Sequence, residues 1–159
     1  MATLIRPESV NIKSPLILPY KQESNPIRVT CVSRKPYRKA VWRIACFFRR
    51  ELYYDIVQYG YEGEEDDPTC VAFLWVHPEA VGRTMLSIPC IGAACFRFRV
   101  YSDRPARNAL QWVWFHPFYR RRGLLSASWP DFKSEFGDFE CEHPLSTAME
   151  AFVDKHQHC

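Results

Sequence analysis

The sequence has no run of eighteen apolar residues, so no segment reads as a helix long enough to cross a bilayer. Its seven cysteines (Cys31, Cys46, Cys70, Cys90, Cys95, Cys141 and Cys159) include no C-x-x-C pair and are odd in number. That excludes a fully paired disulfide framework and the usual zinc-knuckle spacing. Most of them sit inside apolar runs, where a reduced cysteine behaves as a small hydrophobe. The first residues carry Arg6, Glu8 and Lys13 and lack the apolar stretch of a secretory leader. The expectation is a cytoplasmic location. No strand–turn–helix elbow surrounds a serine or cysteine, so a covalent Ser/Cys–His–Asp mechanism is not expected. His156-x-His158-Cys159 has metal-ligand types only at the end of the sequence, and no metal site is expected there.

What is present suits one packed core. The 159 residues are 47% hydrophobic and 15% aromatic, enough for a single domain and too few for two ordinary ones. A net charge of +3 is too weak by itself to indicate nucleic acid. The charge is unevenly placed. Acid gathers between Glu62 and Asp67, which reads as a solvated loop, and base gathers in Arg34 to Arg50 and Arg120 to Arg122.

Residues 1–26 contain Pro7, Pro15, Pro19 and Pro26 and read as an irregular arm packed through Leu16, Ile17 and Leu18. Residues 27–159 form the domain. Ile27 to Ser33 alternates as a first strand. After Pro36, Val41, Ile44, Ala45, Phe48 and Leu52 recur at helical spacing. Cys70 to Val76 is a buried strand, and Ile91 to Val100 alternates, with Ala94, Phe96 and Phe98 on one face and Cys95, Arg97 and Arg99 on the other. The turn residues of 102–108 predict an antiparallel hairpin to Leu110–Phe115. Beyond Gly123, the spacing of Leu125, Trp129, Phe132 and Phe136 predicts a helix, with Pro130 either kinking it or delaying its start to about Ser128. Gly137 ends it. Phe139 to Glu142 is a short strand, and Thr147-x-x-Glu150 is a capping box that opens a last helix. Trp75-x-His77-Pro78 recurs thirty-nine positions later as Trp114-x-His116-Pro117. Two copies do not make a repeat architecture, and the echo is read as coincidence.

The most informative stretch is Gln111 to Leu125. An apolar strand runs through a Pro-bearing turn into three arginines, one glycine and a helix start. Such a loop leaves backbone N–H groups unpaired at the positive end of a helix dipole, an arrangement suited to phosphate.

Residues 90–155 resemble the core of the GNAT (Gcn5-related N-acetyltransferase) superfamily. Phe115-His116-Pro117-Phe118-Tyr119 stands for the family's strand end. Arg120-Arg121-Arg122-Gly123-Leu124-Leu125 stands for its (Gln/Arg)-x-x-Gly-x-(Gly/Ala) loop, matching at Arg120 and Gly123 and departing at Leu125. The resemblance implies a single-domain α/β fold with a mixed, mostly antiparallel sheet flanked by helices. It also implies acetyl-CoA as co-substrate and an amine acceptor, either a small molecule or a protein. The loop would bind the pyrophosphate, and a backbone N–H from Val113, Trp114, Phe115 or His116 would polarise the thioester carbonyl. The last helix turns in through Pro144 somewhat as in the cohesin acetyltransferase branch, and it leaves no room for the family's final hairpin.

The family commonly protonates the departing thiolate with a tyrosine of the last helix. Phe152 stands nearest that position and has no proton to give. Glu142 and His143 are the candidate base and acid, with Ser146 as a further donor or, in the plainer reading, a helix cap. The expected function is acyl transfer from acyl-CoA to an amine by direct attack in a ternary complex. The alternative is a non-catalytic GNAT-fold module that binds CoA or a protein partner. Nucleic acid and membrane are not expected as partners. A dimer is one open oligomeric state. The acidic run at residues 62–67 offers a surface for a cationic acceptor.

Overall fold

A computed structural model describes residues 13–17, 24–62, 67–80 and 88–157. Lys35–Leu52 forms the long helix α1, with Pro36 in its first turn, where the missing N–H costs no hydrogen bond. Tyr37, Ala40, Val41, Ile44, Ala45, Phe47 and Phe48 are buried along one stripe. Arg49 and Arg50 occupy the last turn, favourable against the negative end of the helix dipole. The helix stops at Tyr53, which is left-handed at φ 59°, and the Tyr54 N–H closes back on the Arg49 carbonyl at 3.1 Å.

Among the described residues, six strands make one sheet: β1 (Leu16–Ile17), β2 (Ile27–Val29), β3 (Val71–Val76), β4 (Ile88–Arg99), β5 (Arg107–Phe115) and β6 (Glu140–Cys141). The order is β2-β3-β4-β5-β6, with β1 pairing onto the start of β4. All pairings are antiparallel except β5 with β6, which is parallel. Ile17 of the arm is buried through this pairing, whereas Leu16 is exposed, and Leu18 lies outside the described residues.

The sheet separates two cores. Ala72, Leu74, Val76, Ala93, Cys95, Trp112 and Trp114 face α1. Phe73, Trp75, Ala94, Phe96 and Leu110 face the opposite side, where α2 (Leu124–Phe136) and α3 (Thr147–Gln157) cover them. A strand covered on both faces carries apolar residues at every position, which explains the continuous run of β3. Cys90 and Cys95 are fully buried small hydrophobes, and the cysteines of the described residues carry no disulfide.

One helix expectation is narrowed to one of its two alternatives and one is corrected. α2 begins at Leu124 and continues through Pro130, rather than starting near Ser128. Pro130 removes the bond to the Ser126 carbonyl, but both residues are exposed, so solvent reaches the freed oxygen. Gly137, at φ 66°, ends the helix as expected. The cap of α3 is Ser146, not Thr147. Its Oγ accepts the Met149 N–H at 3.2 Å, and its carbonyl accepts the Glu150 N–H at 2.8 Å.

Candidate active site

Strands β5 and β6 run side by side only briefly. Ala109 pairs with Glu140 and Leu110 with Cys141, and the Glu142 N–H then donates to the Leu110 carbonyl at 3.0 Å. Beyond that bond β5 continues without a β6 partner to Phe115. The parting coincides with a β-bulge. Cys95 pairs with Trp112 and Phe96 with Leu110, leaving Gln111 as the extra residue of β5. The bulge reverses side-chain parity, so Leu110 faces α2 while Trp112 and Trp114 both face α1.

The free edge has a defined donor pattern. The His116 N–H donates to the Ile91 carbonyl at 2.8 Å. Antiparallel pairing alternates, so Trp114 also turns its N–H toward β4, and Val113 and Phe115 turn theirs to the open edge. Of the four amides considered in the sequence, Trp114 and His116 are therefore spent inside the sheet. The Phe115 carbonyl, on the open edge, accepts from Arg120 Nε at 2.8 Å, which leaves its N–H as the free group.

From Phe115 the chain enters a 3-10 turn over Pro117–Tyr119, capped by His116, whose Nδ1 accepts the Phe118 N–H at 3.2 Å. The first copy of the Trp-x-His-Pro echo does the same: the Glu79 N–H donates to His77 Nδ1 at 3.2 Å at the head of a 3-10 turn. The echo is thus a shared strand-end cap rather than coincidence. Both imidazoles lie edge-on to Tyr119, at 5.5 Å and 5.9 Å between ring centroids.

The three arginines that follow divide their work. Arg120 is folded back into a bidentate ion pair with Glu51 of α1, at 2.8 Å and 2.6 Å, and lies 5.5 Å from the Trp114 ring. Trp114 Nε1 donates to the same Glu51 carboxylate. Arg120 therefore fixes the loop to α1 and is not an open cation for phosphate, contrary to its sequence reading. Arg121 and Arg122 are exposed, Arg121 is left-handed at φ 61°, and Arg122 lies 5.4 Å from the Tyr119 ring.

Gly123 caps α2 at φ 78°, and a Cβ built there meets nothing within 4 Å. The N–H groups of Gly123, Leu124, Leu125 and Ser126 find no acceptor among the described residues; the first helical bond is from Ala127 to the Gly123 carbonyl, at 2.9 Å. Leu124 and Leu125 are half-buried and pack against the α2 core. The bulk at position 125 thus points away from the amide cradle. An open set of amides at a helix N-terminus suits an anion such as pyrophosphate.

The catalytic candidates of the sequence are differently placed. Glu142 pairs with Arg99 Nε at 2.5 Å, and this hydrogen bond raises the Arg99 pKa above its ordinary value. The carboxylate is a tie between β4 and the β6 exit, not a free base. His143 is exposed beside the parting strands. Ser146 is occupied as the α3 cap. Phe152 packs on Trp129, at 4.9 Å, and stacks on His156, at 3.9 Å. His156 Nδ1 lies 2.9 Å from the Phe152 carbonyl. The acidic run holds less than its sequence suggested. Glu62 pairs with Lys35, Asp67 is taken by Thr69 and Arg97, and residues 63–66 lie outside the described residues.

Tyr54 is a further residue at the parting strands that carries no signal in the sequence. Its ring stacks on Phe48 at 5.2 Å, Phe48 packs against Trp112 of β5, and its hydroxyl donates to the Pro144 carbonyl at 3.0 Å. It spans the parting of β5 and β6 from the α1 side. Glu51 was missed likewise. Both lie far from the motif in sequence and carry no local signature.

No protein-family model and no curated protein matches the sequence. Solved structures do match. The acetyltransferase domain of xEco2, bound to a CoA conjugate, superposes with a TM-score of 0.55 at 13% identity, covering 87% of this chain and 90% of that one. A ribosomal-protein-alanine N-acetyltransferase from Brucella melitensis biovar Abortus 2308 gives a TM-score of 0.47 at 12% identity over 81% of this chain and 87% of that one. An aminoglycoside acetyltransferase from an uncultured soil metagenomic sample gives 0.47 at 11% identity over 83% and 84%. The first of these carries the fold comparison: this chain has the fold of that acetyltransferase domain.

Proposed function

We propose that this chain transfers an acyl group, acetyl in the first instance, from an acyl-CoA to an amine. The observation that carries the reading is continuous: the free β5 edge, with the Val113 and Phe115 amides turned outward, runs directly into the unpaired amides of Gly123 to Ser126. The cradle takes the pyrophosphate. The pantetheine arm lies along the edge and completes the strand pairing that β6 leaves off. The thioester carbonyl accepts a hydrogen bond from an edge amide, which stabilises the oxyanion as it forms. The amine nitrogen then attacks the carbonyl carbon. A C–N bond forms, the C–S bond breaks, the nitrogen gives up one proton and the sulfur takes one.

We assign the nitrogen's proton to His143, which is exposed beside the gap, and the sulfur's to the Tyr54 hydroxyl, which reaches the same gap from α1. Tyr54 in this role compensates for Phe152. Release of free thiol from acetyl-CoA across a panel of amines tests the reading. Turnover is expected, with Tyr54→Phe lowering kcat about 10²-fold and leaving acetyl-CoA affinity unchanged. Binding of acetyl-CoA without turnover on any amine supports the second reading, a CoA-binding module. The packing of Phe152 between Trp129 and His156 favours that reading.

A further inference from the structure

Residues 34–50 contain seven lysines and arginines and no acidic residue, while the remaining 14 basic and 18 acidic residues leave the rest of the chain at −4. Helix α1 turns this segment into a directed surface. Its apolar stripe is packed on the sheet, so Lys35, Lys39, Arg43, Arg49 and Arg50 are exposed on the outer side. At the C-terminal end of the helix they border a cleft of about 610 Å3, lined by Arg43, Phe47, Arg49, Arg50, Tyr53 and Tyr54 and by no carboxylate. The Arg43 and Arg50 guanidiniums lie over the Phe47 ring, at 6.0 Å and 5.6 Å, and form no ion pair with the described carboxylates. Glu51, the nearest acid in sequence, is turned away into Arg120.

Tyr53 supplies an independent observation. It is 91% exposed and held left-handed at φ 59°, a conformation that disfavours a bulky side chain and that helices usually give to glycine. The strain presents an aromatic face to solvent at the rim of an arginine-lined cleft.

We propose that the outer face of α1 binds single-stranded nucleic acid, with Arg43, Arg49 and Arg50 on phosphates and a base stacked on Tyr53. Planar guanidiniums beside exposed aromatic faces match alternating phosphate and base. A duplex keeps its base faces stacked and leaves Tyr53 without a partner. An anionic membrane surface attracts the same cations but offers no planar base to stack on Tyr53. The site is distinct from the amide cradle, although Tyr54 of the acyl-transfer reading forms one wall of the cleft, and it does not depend on that reading.

Fluorescence anisotropy of a labelled oligothymidylate, titrated with the full chain at increasing salt, tests the proposal. Three phosphate contacts predict a slope of log K against log[salt] of about −2. Arg43→Gln with Arg50→Gln reduces the slope to about −0.7 while acetyl-CoA binding is retained. Tyr53→Gly relieves the strain and raises Tm, yet weakens oligonucleotide binding about tenfold. A merely structural Tyr53 would not separate those two effects. Gly123→Asp leaves oligonucleotide binding intact, so failure at either site is read separately. Salt-independent or absent binding, binding unchanged in the arginine variant, or a duplex bound as tightly as the single strand would each overturn the proposal. Equal binding of a polyglutamate peptide, insensitive to Tyr53→Gly, would overturn it in favour of an acidic protein.

Discussion

Gly123 is the residue on which the cradle depends most. Its φ of 78° costs an L-residue about 1–2 kcal/mol, but no atom stands within 4 Å of an added Cβ. Gly123→Ala is therefore expected to lower stability by about that amount and to keep acetyl-CoA binding measurable. Gly123→Asp is expected to abolish binding, because its carboxylate occupies the space of a phosphate; parallel thermal melts and calorimetric titrations compare the two. Gly92 is constrained in the opposite way. A Cβ there falls 2.3 Å from the Phe115 ring, directly across the strand pair. Gly92→Ala must displace Phe115, at about 1–3 kcal/mol, and is expected to weaken acetyl-CoA binding by moving an edge amide. Burial pushes the Cys90 thiol up to about 12 from its ordinary value of 9.0. The folded state thus holds a proton that the unfolded chain releases. The associated stability is complete below about pH 9 and falls by about 1.4 kcal/mol per pH unit above it, until the folded pKa is reached. Urea midpoints measured from neutral to alkaline pH should decline less steeply in Cys90→Ala than in the parent. At this scale the sequence was informative wherever a residue acts on its immediate neighbours, as Gly123 and Gly137 do in terminating or starting helices. It was uninformative for Glu142, because Arg99, forty-three positions away, decides what that carboxylate does.

The bulge at Gln111 is the element that opens the site. It sits where β6 ends, reverses the parity of β5, and sends Trp112 and Trp114 toward α1. Deleting Gln111 makes Leu110 and Trp112 alternating neighbours of a regular strand, so both indoles are expected to stay on the α1 side and the fold to be kept, while the bulge is lost; a retained sharp thermal transition together with weakened acetyl-CoA binding checks this. The second controlling contact links α1 to the loop. Glu51→Ala removes the acceptor shared by Arg120 and Trp114. Both carboxylate and guanidinium are partly exposed, so the expected stability loss is only about 1 kcal/mol. Acetyl-CoA affinity should fall as the loop is released. Element types were legible because hydrophobic period and turn residues are local. The bulge was not, since alternation read along one strand cannot show which residue its partner skips. Which of the two alternatives holds at Pro130 was not legible, because solvent access to one freed carbonyl depends on the finished fold.

For the whole molecule, the consequence is a division of labour across one sheet. The α2–α3 side is an aromatic core that backs the cradle, and the α1 side carries the Glu51 tie, Tyr54 and the basic surface. The order of strands and helices, with the Arg-Arg-Arg-Gly loop after a hairpin, was enough to anticipate the fold, because the loop and the strand feeding it are contiguous. The partners that complete the site come from α1 and its exit, 60 to 90 positions away. The claim at the centre is that acyl-CoA completes the edge of β5 and fills the amide cradle of α2. Residue-resolved amide hydrogen exchange, with and without saturating acetyl-CoA, tests it directly. Protection is expected to rise at Val113, Phe115 and Gly123 to Ser126, with Trp114 and His116 already protected and unchanged. Unchanged exchange at those amides under saturating acetyl-CoA, or protection confined to the outer face of α1, would contradict it.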